Sequence, residues 1–412
     1  MKKNMVKTLI EKGVNIPNPE SVFICDTVNP DCISSDNVTI YSGCKVLGSK
    51  TLIMKNSSIG YEAPVTLENT LIGENTQLHG GFFRQAVFAG DNVFGSGAHV
   101  REGTILEEQA NAAHTVGLKQ TILFPFVTLG SLINFCDCFM AGGTSRKNHS
   151  EVGSSFIHFN YTPNQDKATP SMMGDVHHGV MLNSKPIFLG GQGGIVGPIR
   201  INYGCLSAAG SILRKDELRC DRLLMGGAYK NISFAHQPSI YTSINHIYNN
   251  NIYYISGLIA LKSWYRHIRS IFITDHFSAL LQKGMQENLD ICIKERIKRL
   301  DELGEKLKIS KHLITSKGEQ SSSEIIENHD VAILNIKSAV DIFKNQFEQA
   351  GVNQEGKIFI QRVEKLAKNE HQKKKDYISV IQNLSEEEKE MGSLWLYNIE
   401  HTLVKQLIIK QE

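Results

Sequence analysis

The segment from Ser145 to Pro170, SRKNHSEVGSSFIHFNYTPNQDKATP, concentrates hydrogen-bonding and ionisable side chains. Arg146, Lys147 and Lys167 supply cations, Asn148 and Asn160 amides, Tyr161 a phenol and His149 an imidazole. Cations of this kind meet phosphate, and amides and hydroxyls meet sugar hydroxyls, so the set suits a phosphorylated sugar. His149 stands among Arg146, Lys147 and Asn148. Basic neighbours lower its pKa and keep it neutral enough to accept a proton, which makes it the favoured general base. The competing reading is a solvated surface loop.

The elements that must position these residues repeat every six positions. Cut from Phe88, the chain reads FAGDNV, FGSGAH, VREGTI, LEEQAN, AAHTVG, LKQTIL, FPFVTL. The first position is apolar (Phe88, Phe94, Val100, Leu106, Ala112, Leu118, Phe124), and the fifth is small or β-branched (Ala98, Thr104, Ala110, Val116, Ile122). A second run, FLGGQG, GIVGPI, RINYGC, LSAAGS, spans Phe188 to Ser211. Six is a multiple of the strand period and not of 3.6, so short strands joined by sharp turns are expected. Three steps close one triangular coil, and coils stack at about the 4.8 Å strand spacing. An ordinary β-sandwich would show irregular strands with turns every 8–12 residues.

Composition changes near residue 240. All ten prolines lie at or before Pro238, and only seven of the 34 glycines follow. Residues 1–238 are read as the coiled half, 239–260 (SINHIYNNNIYYISG within it) as a linker or docking segment, and 261–412 as a helical domain. Ile333, Ile336, Val340, Phe343 and Phe347 step by three and four, as do Ile293, Ile297, Leu300 and Leu307. Ser385 to Glu388 has capping-box form, and Lys373 to Lys375 reads as a solvated face. The helices have three possible uses: packing on the coils, oligomerising or binding a protein partner.

The formal net charge of +2 argues for no particular partner and leaves room for a local anion site, and no nucleic-acid partner is expected. No stretch approaches the roughly 20 apolar residues of a membrane span, and the basic start lacks the apolar core of a signal peptide. The eight scattered cysteines form no disulfide framework. A reduced, cytoplasmic protein is expected, with Cys136 and Cys138 as buried thiols rather than zinc ligands.

The hexads, with VGSSFIHFNYTPNQDKATPSMMGDV and then IFLGGQGGIVGPIRINYGCLSAAGSIL, resemble the hexapeptide-repeat acyltransferases, a left-handed parallel β-helix family. More closely they resemble the glucosamine-1-phosphate acetyltransferase half of the bifunctional uridyltransferase/acetyltransferase family. The resemblance runs most closely from Arg101 to Leu213, with a short insertion around His177 to Lys185. It implies acetyl transfer from acetyl-CoA to an amino-sugar phosphate or nucleotide sugar, with sites shared in a homotrimer. It implies that Asn160, Tyr161 and Lys167 bind the sugar phosphate, that Arg101 in HVREG holds phosphate, and that Gly191 and Ala209 line the CoA slot. Gly191 stands where the family usually has a hydroxyl residue. The base is a histidine in the family. Here the corresponding step, GSLINFCD, offers Asn134 or Asp137, and the candidates are His149 and His114. The family's glycine-rich nucleotide loop does not precede the coils, so nucleotidyl transfer is not expected.

Two other functions use the same coil. A metal enzyme of the γ-carbonic anhydrase type needs three converging histidines, whose usual spacing is absent. His177 and His178 are adjacent and not expected to face one ion, so no metal site is expected. A non-catalytic scaffold would use the helices as its interaction surface.

Overall fold

The computed structural model describes residues 5–227, 231, 233, 236–242, 244–274, 278–316, 323–347, 351–368 and 376–409. The lysine run Lys373 to Lys375 lies outside them.

From Phe23 to Leu224 the chain winds as a parallel β-solenoid with three faces. One face carries strands Phe23–Ile24, Lys45–Leu47, Val65–Glu68, Gly81–Arg84 and Ala98–Val100, and continues to Ile212–Leu213. A second runs from Leu52–Ile53 to Arg200–Ile201, and a third from Thr39–Ile40 to Leu223–Leu224. Every solenoid pairing is parallel and joins neighbouring coils, as six-residue steps require. The corners hold non-glycine residues at positive φ, where a short polar side chain hydrogen-bonds locally. At one corner Asn37, Asn56, Asn75 and Asp91 form a ladder of 3.1, 3.1 and 2.8 Å hydrogen bonds.

The first-position residues from Phe88 to Phe124 are all buried, and so are the fifth-position residues. In the second run the phase slips by one. Phe188 and Leu206 are exposed, whereas Leu189, Ile195, Ile201 and Leu213 are buried. The slip follows two insertions. Asn111 pairs with Thr128 across an uninterrupted coil, but Thr128 pairs with Glu151, and Glu151 with Phe188. The first extra segment is an antiparallel hairpin, Gly143–Ser145 with Asn148–His149. The second holds the loop around Asn160 to Pro170 and a one-turn helix. The polar stretch is thus two excursions from adjoining coils.

The helices, among the described residues, are α1 (Met5–Lys12), α2 (Val176–Gly179), α3 (Asn245–His267), α4 (Ala279–Thr315), α5 (Ser323–Gln346), α6 (Gln354–Lys368), α7 (Tyr377–Gln382) and α8 (Glu386–Leu407). α3 begins inside the 239–260 segment and runs past it. The apolar stripes are buried at Ile293, Ile297, Leu300 and Leu307 of α4 and at Ile336, Val340 and Phe343 of α5. α8 starts with the full capping box of Ser385 and Glu388.

Of the three uses open to the helices, α3 and α4 take the first and lie on the second face of the solenoid. Leu52, Leu71, Val87, Ile105, Ile122, Phe139 and Met172 are stacked in register along that face, and all are buried. Leu71 and Val87 meet Gly284 of α4, where a Cβ would lie 1.9 Å from Leu71 Cδ1. Phe139 stacks on Tyr254 of α3 at 5.6 Å between ring centroids. Polar groups fix the docking. Asn288 donates to the Gln85 and Thr104 carbonyls, Asn251 to that of Ala168, and Tyr265 to buried Glu107. Burial first, and the Glu108 charge, push the Glu107 carboxyl up to about 7.

Candidate functional site: a cationic cleft where solenoid and helix meet

On the first face, strand residues 98–100 and 117–119 turn His99, Arg101 and Lys119 outward by simple alternation. They border two cavities that meet at Arg101, Asn134 and Cys136. The outer one, of about 400 Å³, is lined by His99 and the corner residues Thr115 and Leu132. His99 is stacked on Phe82, with ring centroids 5.1 Å apart. The inner one, of about 230 Å³, is walled by Lys119, Asp137, Asn160 and Lys167 of the solenoid and by Glu295, Arg296 and Arg299 of α4. Five cationic side chains (Arg101, Lys119, Lys167, Arg296, Arg299) line it with two carboxylates, Asp137 and Glu295, and Glu102 and Glu302 pair with Lys119 and Arg299 from behind, so one positive charge is left over and the inner cavity favours an anion.

Asp137 anchors the floor. It occupies a corner at φ 59° and is buried. It pairs with Arg296 at 2.9 Å and accepts from Asn160 Nδ2 at 3.1 Å. Arg296 also donates to the Lys167 carbonyl at 3.0 Å, and Lys306 donates to the carbonyls of Asn164 and Gln165. α4 therefore shapes the Asn160 loop. Lys119 pairs with Glu102 at 3.0 Å, and Glu102 also pairs with Arg84 at 2.8 Å. Burial opposes ionisation of Glu102, but the two cations hold its carboxyl near about 2. Arg299 is clasped by Glu295 and Glu302, each at 2.7 Å. The Lys167 ammonium has no carboxylate partner among the described residues. Cys136 and Cys138 are buried, and burial raises both thiols.

Arg101, Asn160 and Lys167 converge on this cleft, and Tyr161 stands exposed beside Asn160. Arg146, Lys147 and His149 do not line it, because the hairpin leaves the solenoid at another corner. Arg146 is spent on structure. Its guanidinium donates to the Gln109 and Phe126 carbonyls at 3.0 and 2.7 Å and to Thr128 Oγ1 at 2.9 Å. Lys147 is exposed at the hairpin tip. His149 lies 3.9 Å from Glu151, and burial, with the Arg146 charge adding, lowers its pKa.

His114, Gly191 and Ala209 share one column. Backbone bonds run from Leu132 to His114, Ser155 to Ser131, Gln192 to Ser154, and Gly210 to Gly191. His114, Ser131, Ser154, Gly191 and Ala209 thus hold the same corner position on successive coils. His114 is exposed, and its Nδ1 is 2.9 Å from Ser131 Oγ. The coils pack so tightly behind this column that a Cβ on Gly190 would meet Ala209 N at 2.5 Å, and one on Gly153 would meet Gly191 N at 2.4 Å. The absence of bulk leaves a smooth rail leading from His114. Lys119, His99 and the two α4 arginines were not singled out in the sequence. Outward alternation marks the first two, and nothing local marks the arginines.

His177 and His178 overturn an expectation. Although adjacent, they offer ring nitrogens that lie, with a carboxylate oxygen of Asp175, within 4.8 Å of one another. The one-turn helix α2, capped by Asp175, tilts both rings to one side.

A parallel coil stacked in three-faced turns defines a fold class, the β-solenoid. The chain is similar, within that class, to proteins named bifunctional protein GlmU. It is 26% identical to that of Thermotoga maritima over 217 residues, 52% of this chain and 43% of the relative. It is 24% identical to that of Nitratidesulfovibrio vulgaris, over 50% of this chain and 40% of the relative, and 26% identical to that of Tropheryma whipplei, over 50% and 30%. The chain spans less than half the length of these curated relatives. No family model matches it. No helix among the described residues is long and apolar enough to cross a membrane.

Proposed function

We propose that the chain transfers an acetyl group from acetyl-CoA to an amino-sugar phosphate of the glucosamine-1-phosphate kind, or to a nucleotide sugar, within cytoplasmic UDP-N-acetylglucosamine metabolism. The observation that carries this reading is the convergence of Arg101, Asn160 and Lys167, joined by Lys119, on one anion-favouring cleft. The cations meet phosphate, and the amides of Asn160 and Asn134 meet sugar hydroxyls. CoA lies along the rail of Gly191 and Ala209.

His114 is the base in this reading, because the rail leads to it and Ser131 orients its ring. The sugar ammonium first gives one proton to solvent, and the freed amine attacks the thioester carbonyl carbon while the imidazole takes the second proton from its nitrogen. The C–S bond then breaks, and the leaving thiolate takes a proton from the imidazolium. The exposed first face is completed by a neighbouring subunit of a homotrimer.

The test is release of free CoA over a panel of amino-sugar phosphates and UDP-sugars. Asn160→Ala and Lys167→Ala should raise KM tenfold or more. His114→Ala should lower kcat by about 10²–10⁴-fold, the span of general-base catalysis, and His149→Ala should leave both constants unchanged. No CoA release with any acceptor, together with no acetyl-CoA binding by calorimetry, would leave a scaffold.

A further inference from the structure

The insertion before Phe188 carries a second constellation, on the side of the molecule where α8 docks. Asp175 caps α2 and accepts from the His178 backbone N–H at 2.8 Å. Its carboxylate lies 2.9 Å from His178 Nδ1 and 3.5 Å from His177 Nδ1. Glu400 of α8 reaches His177 Nδ1 at 3.0 Å through Oε2, while its Oε1 is buried without a hydrogen-bond partner among the described residues.

The turn is held from three directions. Tyr203 exchanges hydrogen bonds with the Asp175 backbone, donating to its carbonyl at 2.7 Å and accepting from its N–H at 3.1 Å. Ser393 of α8 donates to the His177 carbonyl at 2.8 Å. Gly174, at φ 85°, admits the Tyr203 ring at a distance no side chain would allow. Asp175, His177 and Glu400 also line a cavity of about 480 Å³ that is otherwise largely apolar.

We propose that Asp175, His177 and His178 bind a divalent d-block cation of the zinc type, with Glu400 as a fourth donor or as the acceptor for a bound water. Two imidazoles and a carboxylate are the donor set such ions prefer. Bonds of roughly 2.1 Å at tetrahedral angles put ligand atoms roughly 3.4 Å apart. The observed spacings of 2.9, 3.0 and 3.5 Å need only a small expansion when the ion replaces the shared protons. The orphaned Glu400 oxygen gains a partner in either role. The ion joins the inserted turn of the solenoid to α8, and its open position faces the cavity. The site is separate from the cleft, and neither depends on the other.

The experiment is zinc titration of the full chain by calorimetry after exhaustive chelation, with elemental analysis of the dialysed complex. One zinc per chain is expected. His178→Ala should weaken binding tenfold or more, and being exposed, His178 can be lost without unfolding. Cobalt should take the same place and give visible d–d absorption that His178→Ala abolishes. No saturable zinc binding, or binding and cobalt spectra unchanged in His178→Ala, would overturn the proposal.

Discussion

His158 lies two positions before Asn160 but has a structural role. It is buried, with Nδ1 2.5 Å from the Cys136 carbonyl and Nε2 2.8 Å from Ser171 Oγ, which itself accepts from the Ile199 N–H. Both ring nitrogens are used by a neutral imidazole, and burial lowers its pKa to about 4. The unfolded chain takes up a proton near pH 6.5 that the folded chain refuses. His158 therefore stabilises the fold fully above pH 6.5, and that contribution is lost as pH falls toward 4. It is worth roughly 3 kcal/mol. Denaturant titrations across this range should show a shallower pH slope in His158→Gln than in the unsubstituted chain. Arg146 is the converse, a residue whose type and neighbours suggested ligand binding but whose Nη1 is held by two carbonyls and a hydroxyl of the solenoid. Arg146→Ala should cost about 2 kcal/mol of stability, in line with hydrogen bonds to a charged group, while KM for the sugar phosphate stays within about twofold. Chemical denaturation and steady-state kinetics check the two halves. Residue type alone could not separate these cases, because an arginine's partners are set by a corner two coils away.

At the scale of elements, the close approach of α4 to the solenoid is made at Gly284. Gly284→Leu forces Leu71 aside and should destabilise by about 1–3 kcal/mol through overpacking, read as a lower midpoint of thermal or denaturant unfolding. The coil was legible because its six-residue beat is local: a strand, a turn, and an apolar residue for the axis. Helices α4 and α5 were legible from their stripes and α8 from the Ser385 box, whereas α3 lies largely in the segment read as a linker. Their docking site was written in the strands, though less plainly, as apolar doublets such as Leu71-Ile72, Val87-Phe88, Ile105-Leu106 and Phe139-Met140. A strand apolar at consecutive positions is covered on both faces, and these are the strands under α3 and α4. The phase slip after Glu151 was not legible, since an insertion resets the count without changing residue types. The cleft was half legible. Asn160 and Lys167 sit on a marked loop, whereas Arg296 and Arg299 come from far along the chain and reach it only through packing.

For the whole molecule, the second face makes solenoid and helices one unit. A chain truncated after Pro238 bares the stripe from Leu52 to Met172 and removes the Arg296 partner of Asp137. It should self-associate in light scattering and unfold at a lower temperature than the full chain. The column from His114 to Ala209 has a different consequence. Its members are set apart by whole coils, so the distance between the two ends changes only in steps of about 4.8 Å. Reach along the rail is therefore counted in coils, like notches on a gauge. On the proposed reading, adding one plain coil between Ser131 and Gly191 would lengthen the acyl carrier accepted by one notch, with every existing side chain kept.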